Sequence, residues 1–262
     1  MLQTYVDAWR DSVHATIELL DGLDDEAWRT PTDLPGWTVG DVAAHLAHLE
    51  AVICGHAEDA GPQVESTTLA SDYTEAGVQE RRGRPRTEVV EELRAAVAAR
   101  CDQLATVPED PKARADRPPA GAPWNWETML RNRCVDAWCH EQDIRRAIDV
   151  PGGLDTAGAV VTTHSLAFAM PFVLGKKVGA PAGTSVCWIL TGGVPMEIGA
   201  TVGDDGRAHG GVPENPTTTL RMTAETFTVL AAGRRGPGAV EIAVDGDADL
   251  AHRVLEQMAV TF

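Results

Sequence analysis

The periodicity of the apolar residues changes once along the chain, near Lys177, and this change constrains the fold more than any other feature. Before it, apolar residues recur at steps of three and four, which is typical of helices with one buried face. After it, short β-rich runs alternate with Gly, Asp and Pro turns, which indicates strands. We therefore predict an α+β protein with a helical domain over residues 1–177 and a small α/β domain over residues 178–262.

Four amphipathic stretches predict a four-helix bundle in the first domain. The second begins after Thr38, with Asp41 at the third helical position as in a capping box. The fourth is predicted to begin near Asn125 and to end at about Ala147, and the segment 58–86 is interpreted as a polar connection. The apolar stripes of the first three are Val6, Trp9, Val13, Ile17 and Leu20; Val42, Leu46, Leu49 and Ile53; and Val90, Leu93, Val97 and Leu104.

A fifth helical stretch, residues 155–175, is predicted to link the bundle to the second domain. In that domain a short helix should begin at Thr223 or Ala224 and stop before Gly233, and a closing helix should span residues 248–258. The predicted strands are residues 185–190, 196–202, 218–222 and 239–244.

The composition excludes several classes of function. With 39 acidic and 22 basic residues the net charge is −17, so a nucleic-acid backbone would be repelled. Residues 158–175 are too polar for a membrane span, and the N-terminal residues lack the pattern of a signal peptide, so we expect a cytoplasmic protein. Five cysteines at irregular spacing argue against a disulfide framework, and we interpret them as reduced packing residues.

The candidate chemistry lies on the second and fourth helices. Asp136 and His140 are four residues apart, so they project from the same face of the fourth helix and can grip one ion. At about 100° per residue, His45 lies about 60° from the apolar stripe centred on Val42, whereas His48 lies about 120° away. We therefore choose His45 as the third ligand over His48. His56 is about 16 Å along the helix from His45, so these two histidines cannot share an ion.

Two histidines and one carboxylate form the ligand set of a catalytic zinc site, in which a fourth position stays open. A zinc-bound water is a nucleophile near neutral pH, and a zinc-bound thiol is held as the reactive thiolate. The residues alone leave both uses open, together with the alternative of packing histidines and an Asp–His salt bridge. Asp143 is a candidate hydrogen-bond partner of His140 or a member of a surface ion pair.

Three segments resemble the mycothiol-dependent maleylpyruvate isomerase family, relatives of the DinB-like metal-binding bundles: LPGWTVGDVAAHLAHLE at residues 34–50, VDAWCHEQDIRRA at 135–147 and LAAGRRG at 230–236. The resemblance covers nearly the whole chain. It implies a DinB-like four-helix bundle followed by a sterol-carrier-like domain, with His45, Asp136 and His140 as metal ligands. Its acidic ligand is Glu in the isomerase prototype, so Asp136 is a departure, one methylene shorter.

The resemblance also implies an activity. Zn²⁺, or another divalent cation, would bind mycothiol as cosubstrate, and the thiol would isomerise a maleylpyruvate-like small molecule or be transferred to an electrophile. Arg234, in the AGR segment, is implied to hold a substrate carboxylate or enolate charge, with Arg235 as its substitute if the register is off by one residue. The alternatives are capping of the preceding helix by Arg234, a thiol-independent metal-dependent hydrolase, and a non-enzymatic protein that binds a small ligand. The sequence leaves the oligomeric state open.

Overall fold

The computed structural model describes residues 2–58 and 71–261. It divides the chain into two compact units, Met1–Gly152 and Gly153–Phe262. The first unit is helical and the second contains a small mixed sheet, so the predicted α+β class is confirmed. The stretch 153–177 groups with the second unit, whereas the sequence prediction assigned it to the bundle.

The four long helices of the first unit lie where the apolar stripes predicted them. Their pairing is set by those stripes: the first packs against the last, and the second long helix packs against the third. Two shorter helices were not predicted. The helices are α1 (Leu2–Asp21), α2 (Asp25–Trp28), α3 (Val39–Cys54), α4 (Ser71–Arg81), α5 (Arg86–Gln103) and α6 (Trp126–Ala147).

Helix α3 lies inside the first unit, and all 16 of its residues are buried. The predicted capping box starts it: the Thr38 hydroxyl accepts from the Asp41 amide at 3.3 Å, and the Asp41 carboxylate accepts from the Thr38 amide at 2.8 Å. Gly55, with a left-handed φ of 82°, ends it. Polar side chains on this helix are therefore held within the protein, which is why its histidines are positioned for chemistry.

The unpredicted helices lack the signals on which the prediction depended. Helix α2 is four residues long and is held at its start by the Asp24 side chain, so it is too short for a periodic pattern. Helix α4 buries Tyr73, Gly77, Val78 and Arg81. Because this buried face contains only two large apolar residues, the sequence of α4 has the appearance of a polar connection.

Within residues 153–261 the strands form a five-stranded sheet in the order β3-β2-β1-β4-β5. Central strand β1 is antiparallel to β2 and parallel to β4, and its Trp188 lies opposite Ile198 and Leu220. These three side chains form part of the buried core of this unit. The elements are β1 (Ser185–Thr191), β2 (Met196–Val202), β3 (Ala208–Gly210), β4 (Thr218–Thr223), α9 (Ala224–Ala231), β5 (Ala243–Gly246) and α10 (Ala248–Glu256).

The edge strands differ from the prediction because neither buries an apolar face. Strand β3 has only three residues, and β5 is exposed along its whole length. The predicted strand 239–244 starts too early, since Pro237–Ala239 forms a 3-10 turn and pairing with β4 begins at Ala243. An alternating pattern cannot locate a strand whose two faces both contact solvent.

The predicted linking helix 155–175 is interrupted. It consists of α7 (Ala157–Ala167), α8 (Met170–Phe172) and a π turn over Val173–Lys177. Pro171, which lacks an amide hydrogen, lies within this irregular part. By length and hydropathy, Ala157–Lys177 is the one stretch in the described residues that could cross a membrane, but 56% of its apolar window is buried inside the protein. Helix α7 packs on α9 and α8 packs on β2, which accounts for that burial.

Candidate metal centre

Helices α3 and α6 bring together the three residues that the sequence singled out as ligands. One donor atom from each of His45, Asp136 and His140 lies within 4.8 Å of the others. Asp136 Oδ1 lies 3.3 Å from His45 Nε2 and 3.6 Å from His140 Nε2. The four-residue spacing on α6 and the position of His45 on α3 therefore produce one cluster of two imidazoles and a carboxylate.

The chemistry of this donor set fits a divalent cation. Imidazole nitrogen and carboxylate oxygen are ligands that zinc accepts, and three such ligands from the protein are typical of an open catalytic site. Both imidazoles are buried, with His45 3% and His140 6% exposed. Burial lowers the pKa of His45 to about 4, although Asp136 acts in the opposite direction. At neutral pH the His45 ring is therefore uncharged, as a metal ligand must be.

The carboxylate of Asp136 is held in its ionised form. Its burial alone would raise the pKa, but the positive charge of Arg133 and the contacts with His45 and His140 outweigh that effect and keep the pKa well below its ordinary value. Burial also works against protonation of His140, yet Asp136 and Asp143 outweigh it and raise the His140 pKa. The cluster thus offers a permanent negative charge between two imidazoles.

Asp143 fixes the orientation of the His140 ring. Its Oδ2 lies 3.0 Å from His140 Nδ1, so an uncharged His140 that donates from Nδ1 keeps a lone pair on Nε2, the atom 3.6 Å from Asp136 Oδ1, for a cation. Arg146 in turn donates to Asp143 Oδ1 at 2.6 Å and to Asp33 Oδ2 at 2.7 Å. A carboxylate that orients a histidine in this way is the usual support of a metal-bound imidazole.

Trp37 contacts both imidazoles, and sequence reasoning missed it. Its ring centroid lies 5.3 Å from that of His45 and 6.2 Å from that of His140, stacked on the latter at 28°. Its indole nitrogen donates to Glu75 on α4 at 2.8 Å. Its place directly before the cap residue Thr38 was the available signal, because a side chain at that position often packs against the fourth residue of the helix that follows, here the ligand-bearing helix.

The other histidines of this region lie elsewhere, in agreement with the choice made from helix geometry. His48 is turned toward α4, where its ring lies 5.8 Å from that of Tyr73 and its Nδ1 lies 3.3 Å from Arg81. A Cβ atom on Gly77 would lie 2.1 Å from the His48 ring, so this close packing requires glycine. His56 is exposed beyond the end of α3.

Four of the five cysteines have thiols that burial keeps from being activated. All five lie in the described part of the chain and are reduced, as predicted. Burial raises the pKa of the thiols of Cys54, Cys101 and Cys187, and raises that of Cys134 to about 12. A thiolate nucleophile would therefore have to come from a small molecule rather than from one of these four side chains.

Arg234 lies at the end of α9 in the second unit. Gly233 adopts a left-handed φ of 67°. The Arg234 amide donates to the Val229 carbonyl at 2.9 Å, and its guanidinium donates to the Ala232 carbonyl at 2.8 Å. This contact agrees with the alternative interpretation, in which Arg234 caps the preceding helix. A role for Arg234 in holding a substrate stays a prediction.

Comparisons with known proteins show where the chain belongs. A model described as "Mycothiol maleylpyruvate isomerase N-terminal domain" matches residues 9–145, and one described as "MDMPI C-terminal domain" matches residues 161–253. No curated protein matches. A crystal structure of the mycothiol-dependent maleylpyruvate isomerase matches over 95% of both chains with a TM-score of 0.58 and 16% identity.

A crystal structure of a histidine-to-alanine mutant of that isomerase matches over 93% of both chains, with a TM-score of 0.56 and 16% identity. At this identity the two structures show a shared fold and no more. The family models go further, because the first alone matches more than half of the 262 residues. The chain therefore belongs to the mycothiol-dependent maleylpyruvate isomerase family.

Proposed function

We propose that this chain is a zinc-dependent enzyme that uses a low-molecular-weight thiol, mycothiol, to isomerise a maleylpyruvate-like substrate. The observation that carries the proposal is the convergence of His45, Asp136 and His140 within 4.8 Å in a chain of this family. Three protein ligands leave a fourth position for a thiol sulfur. The same arrangement also suits an S-transferase, in which the thiol adds to an electrophile and the adduct is released.

Each residue of the site has a separate role in this proposal. His45, Asp136 and His140 would hold Zn²⁺, which keeps a bound thiol in its reactive thiolate form near neutral pH. Asp143 orients His140 through the 3.0 Å contact with Nδ1. Trp37 shields one side of both imidazoles with its ring. The rigid support of the ligands favours a fixed geometry at the open position.

The isomerisation follows from the chemistry of a thiolate and a conjugated cis double bond. The sulfur forms a bond to one alkene carbon, and the alkene electron pair moves to the conjugated carbonyl oxygen as an enolate. Rotation occurs about the new single bond. The electron pair then returns as the carbon–sulfur bond breaks, which releases the thiolate and the trans product without net change in protons.

Thiol dependence of turnover tests this proposal. The purified zinc protein is incubated with maleylpyruvate, with and without mycothiol, and the products are separated by chromatography. Trans product that requires catalytic mycothiol would support an isomerase, and a stable thiol adduct would indicate an S-transferase instead. Thiol-independent turnover would contradict the proposal in favour of a hydrolase. No turnover of any electrophile by zinc-loaded protein would favour a non-enzymatic binding protein.

Arg234 supplies a second prediction. As a group that holds substrate carboxylate or enolate charge, it should contribute to transition-state stabilisation, so Arg234→Ala should lower kcat/KM by about 10²-fold or more. Its zinc content should not change, because Arg234 is not a ligand. The neighbouring Arg235→Ala variant is the comparison and should stay close to wild type; a loss of kcat/KM in Arg235→Ala instead would assign the role to Arg235. Wild-type kinetics in Arg234→Ala would contradict a role for Arg234 in holding the substrate.

A further inference from the structure

The two oxygens of the Asp136 carboxylate face different partners. Arg133, Asp136 and His140 follow one another at steps of three and four on α6, so they share one face of the helix. Arg133 donates from its terminal nitrogen to Asp136 Oδ2 at 2.9 Å. Asp136 Oδ1 faces His45 and His140 instead. The arginine thus engages only the oxygen that is turned away from the imidazoles.

Arg133 is itself held by other helices. Its Nε and second terminal nitrogen both donate to Glu50 Oε1 on α3, at 3.0 and 2.7 Å. Trp9 on α1 donates to the same oxygen at 3.0 Å. Arg133 is 3% exposed and Glu50 is fully buried. A planar guanidinium that spans two carboxylates in this way has its orientation fixed by α1 and α3.

The negative charge of Glu50 does not by itself require that Arg133 also contact Asp136. Arg100 on α5 lies 3.7 Å from the other Glu50 oxygen and provides a second positive charge. The Asp136 side chain, by contrast, is 27% exposed, so its charge is partly solvated without Arg133. The contact of Arg133 with Asp136 Oδ2 is therefore better explained as a means of orienting the Asp136 carboxylate than as a means of neutralising a charge.

We propose that Arg133 is a positioning residue that limits Asp136 to a single-oxygen contact with the metal. The inference rests on the proposed function. A carboxylate with both oxygens available can bind a cation through both, which would occupy space at the position left for the thiol. The Glu50–Arg133 pair fixes the direction of the Asp136 carboxylate through the 2.9 Å contact between Arg133 and Asp136 Oδ2. Arg133 thus keeps the fourth position open.

Arg133→Lys tests the inference, because it keeps the charge and loses the fork that spans two carboxylates. Zinc affinity, measured by chelator competition, should fall about 10- to 100-fold, as expected when the support of a ligand is removed. The cobalt-substituted protein should show weaker visible absorption as the coordination number rises. A role limited to folding would lower stability without changing the cobalt spectrum of the folded protein.

Arg145→Lys is the matched control. Arg145 lies on the same helix and donates to the buried Glu141 at 2.8 Å, but it does not contact the cluster, so both readouts should match wild type.

If Arg133→Lys does not fold, Glu50→Gln keeps an acceptor oxygen and should shift both readouts in the same direction by less. If folded Arg133→Lys has the zinc affinity and the cobalt spectrum of the wild type, the inference is overturned and the proposed function still stands. The same holds for Glu50→Gln if Arg133→Lys does not fold. A wild-type protein without zinc affinity would overturn the proposed function and this inference with it.

Discussion

Replacing Glu50 with leucine is expected to lower the free energy of unfolding of the helical unit by about 3–5 kcal/mol. Glu50 is fully buried on α3 and accepts two hydrogen bonds from Arg133 and one from Trp9. Arg100 faces its other oxygen at 3.7 Å. The leucine would leave the buried Arg100 guanidinium without the carboxylate that it faces and Arg133 with Asp136 alone, and the cost of burying an under-compensated charge exceeds the gain from one apolar side chain.

Urea denaturation followed by circular dichroism measures this effect. Asp21→Asn is the control, because Asp21 forms an exposed ion pair with Arg94, and such pairs contribute about 0–1 kcal/mol. A Glu50→Leu protein as stable as the control would contradict the view that the Glu50–Arg133 pair holds α1, α3 and α6 together. It would also weaken the case that Arg133 has a fixed orientation beside Asp136.

The long helices and their caps were accessible from the sequence because each is specified by local chemistry. The Thr38–Asp41 capping box fixed the start of α3, and Asn125 fixed the start of α6, where its side chain accepts from the Thr128 amide. Steps of three and four between apolar residues predicted which faces are buried. Asp136 and His140 were accessible for the same reason, since a spacing of four places two side chains on one helical face.

The choice of His45 over His48 depended on helix azimuth, and burial alone could not have made it. Both histidines are buried, since α3 is enclosed on all sides. Only the identity of the neighbouring helix distinguishes them: His45 faces α6, and His48 faces α4. Helix α4 was not predicted, so the partner of His48 could not be named from the sequence.

The support of the site was not accessible, because it consists of charges between helices. Arg133 and Glu50 are 83 residues apart, and a charged residue on a helix is usually interpreted as solvent-exposed. Their pairing becomes visible only when α3 and α6 are placed side by side. The interruption at Pro171 was missed and the bounds of the exposed strand β5 were misplaced for a different reason, since neither has a periodic apolar pattern.

His140→Ala is expected to lose nearly all of the zinc that the wild-type protein holds. The variant removes one of three ligands from the cluster, and a two-ligand site does not retain zinc through purification. Alanine is the strongest helix former, so α6 should stay intact and the helical signal should not change. His14→Ala is the control, because His14 is an exposed histidine on α1 of the same unit.

The measurement that tests the central claim most directly is the zinc content of purified wild-type protein beside folded His140→Ala and His14→Ala. We predict about one zinc per chain in wild type and in His14→Ala, and little in His140→Ala. Wild-type protein that holds no zinc, even after incubation with zinc salts, would contradict the metal centre formed by His45, Asp136 and His140.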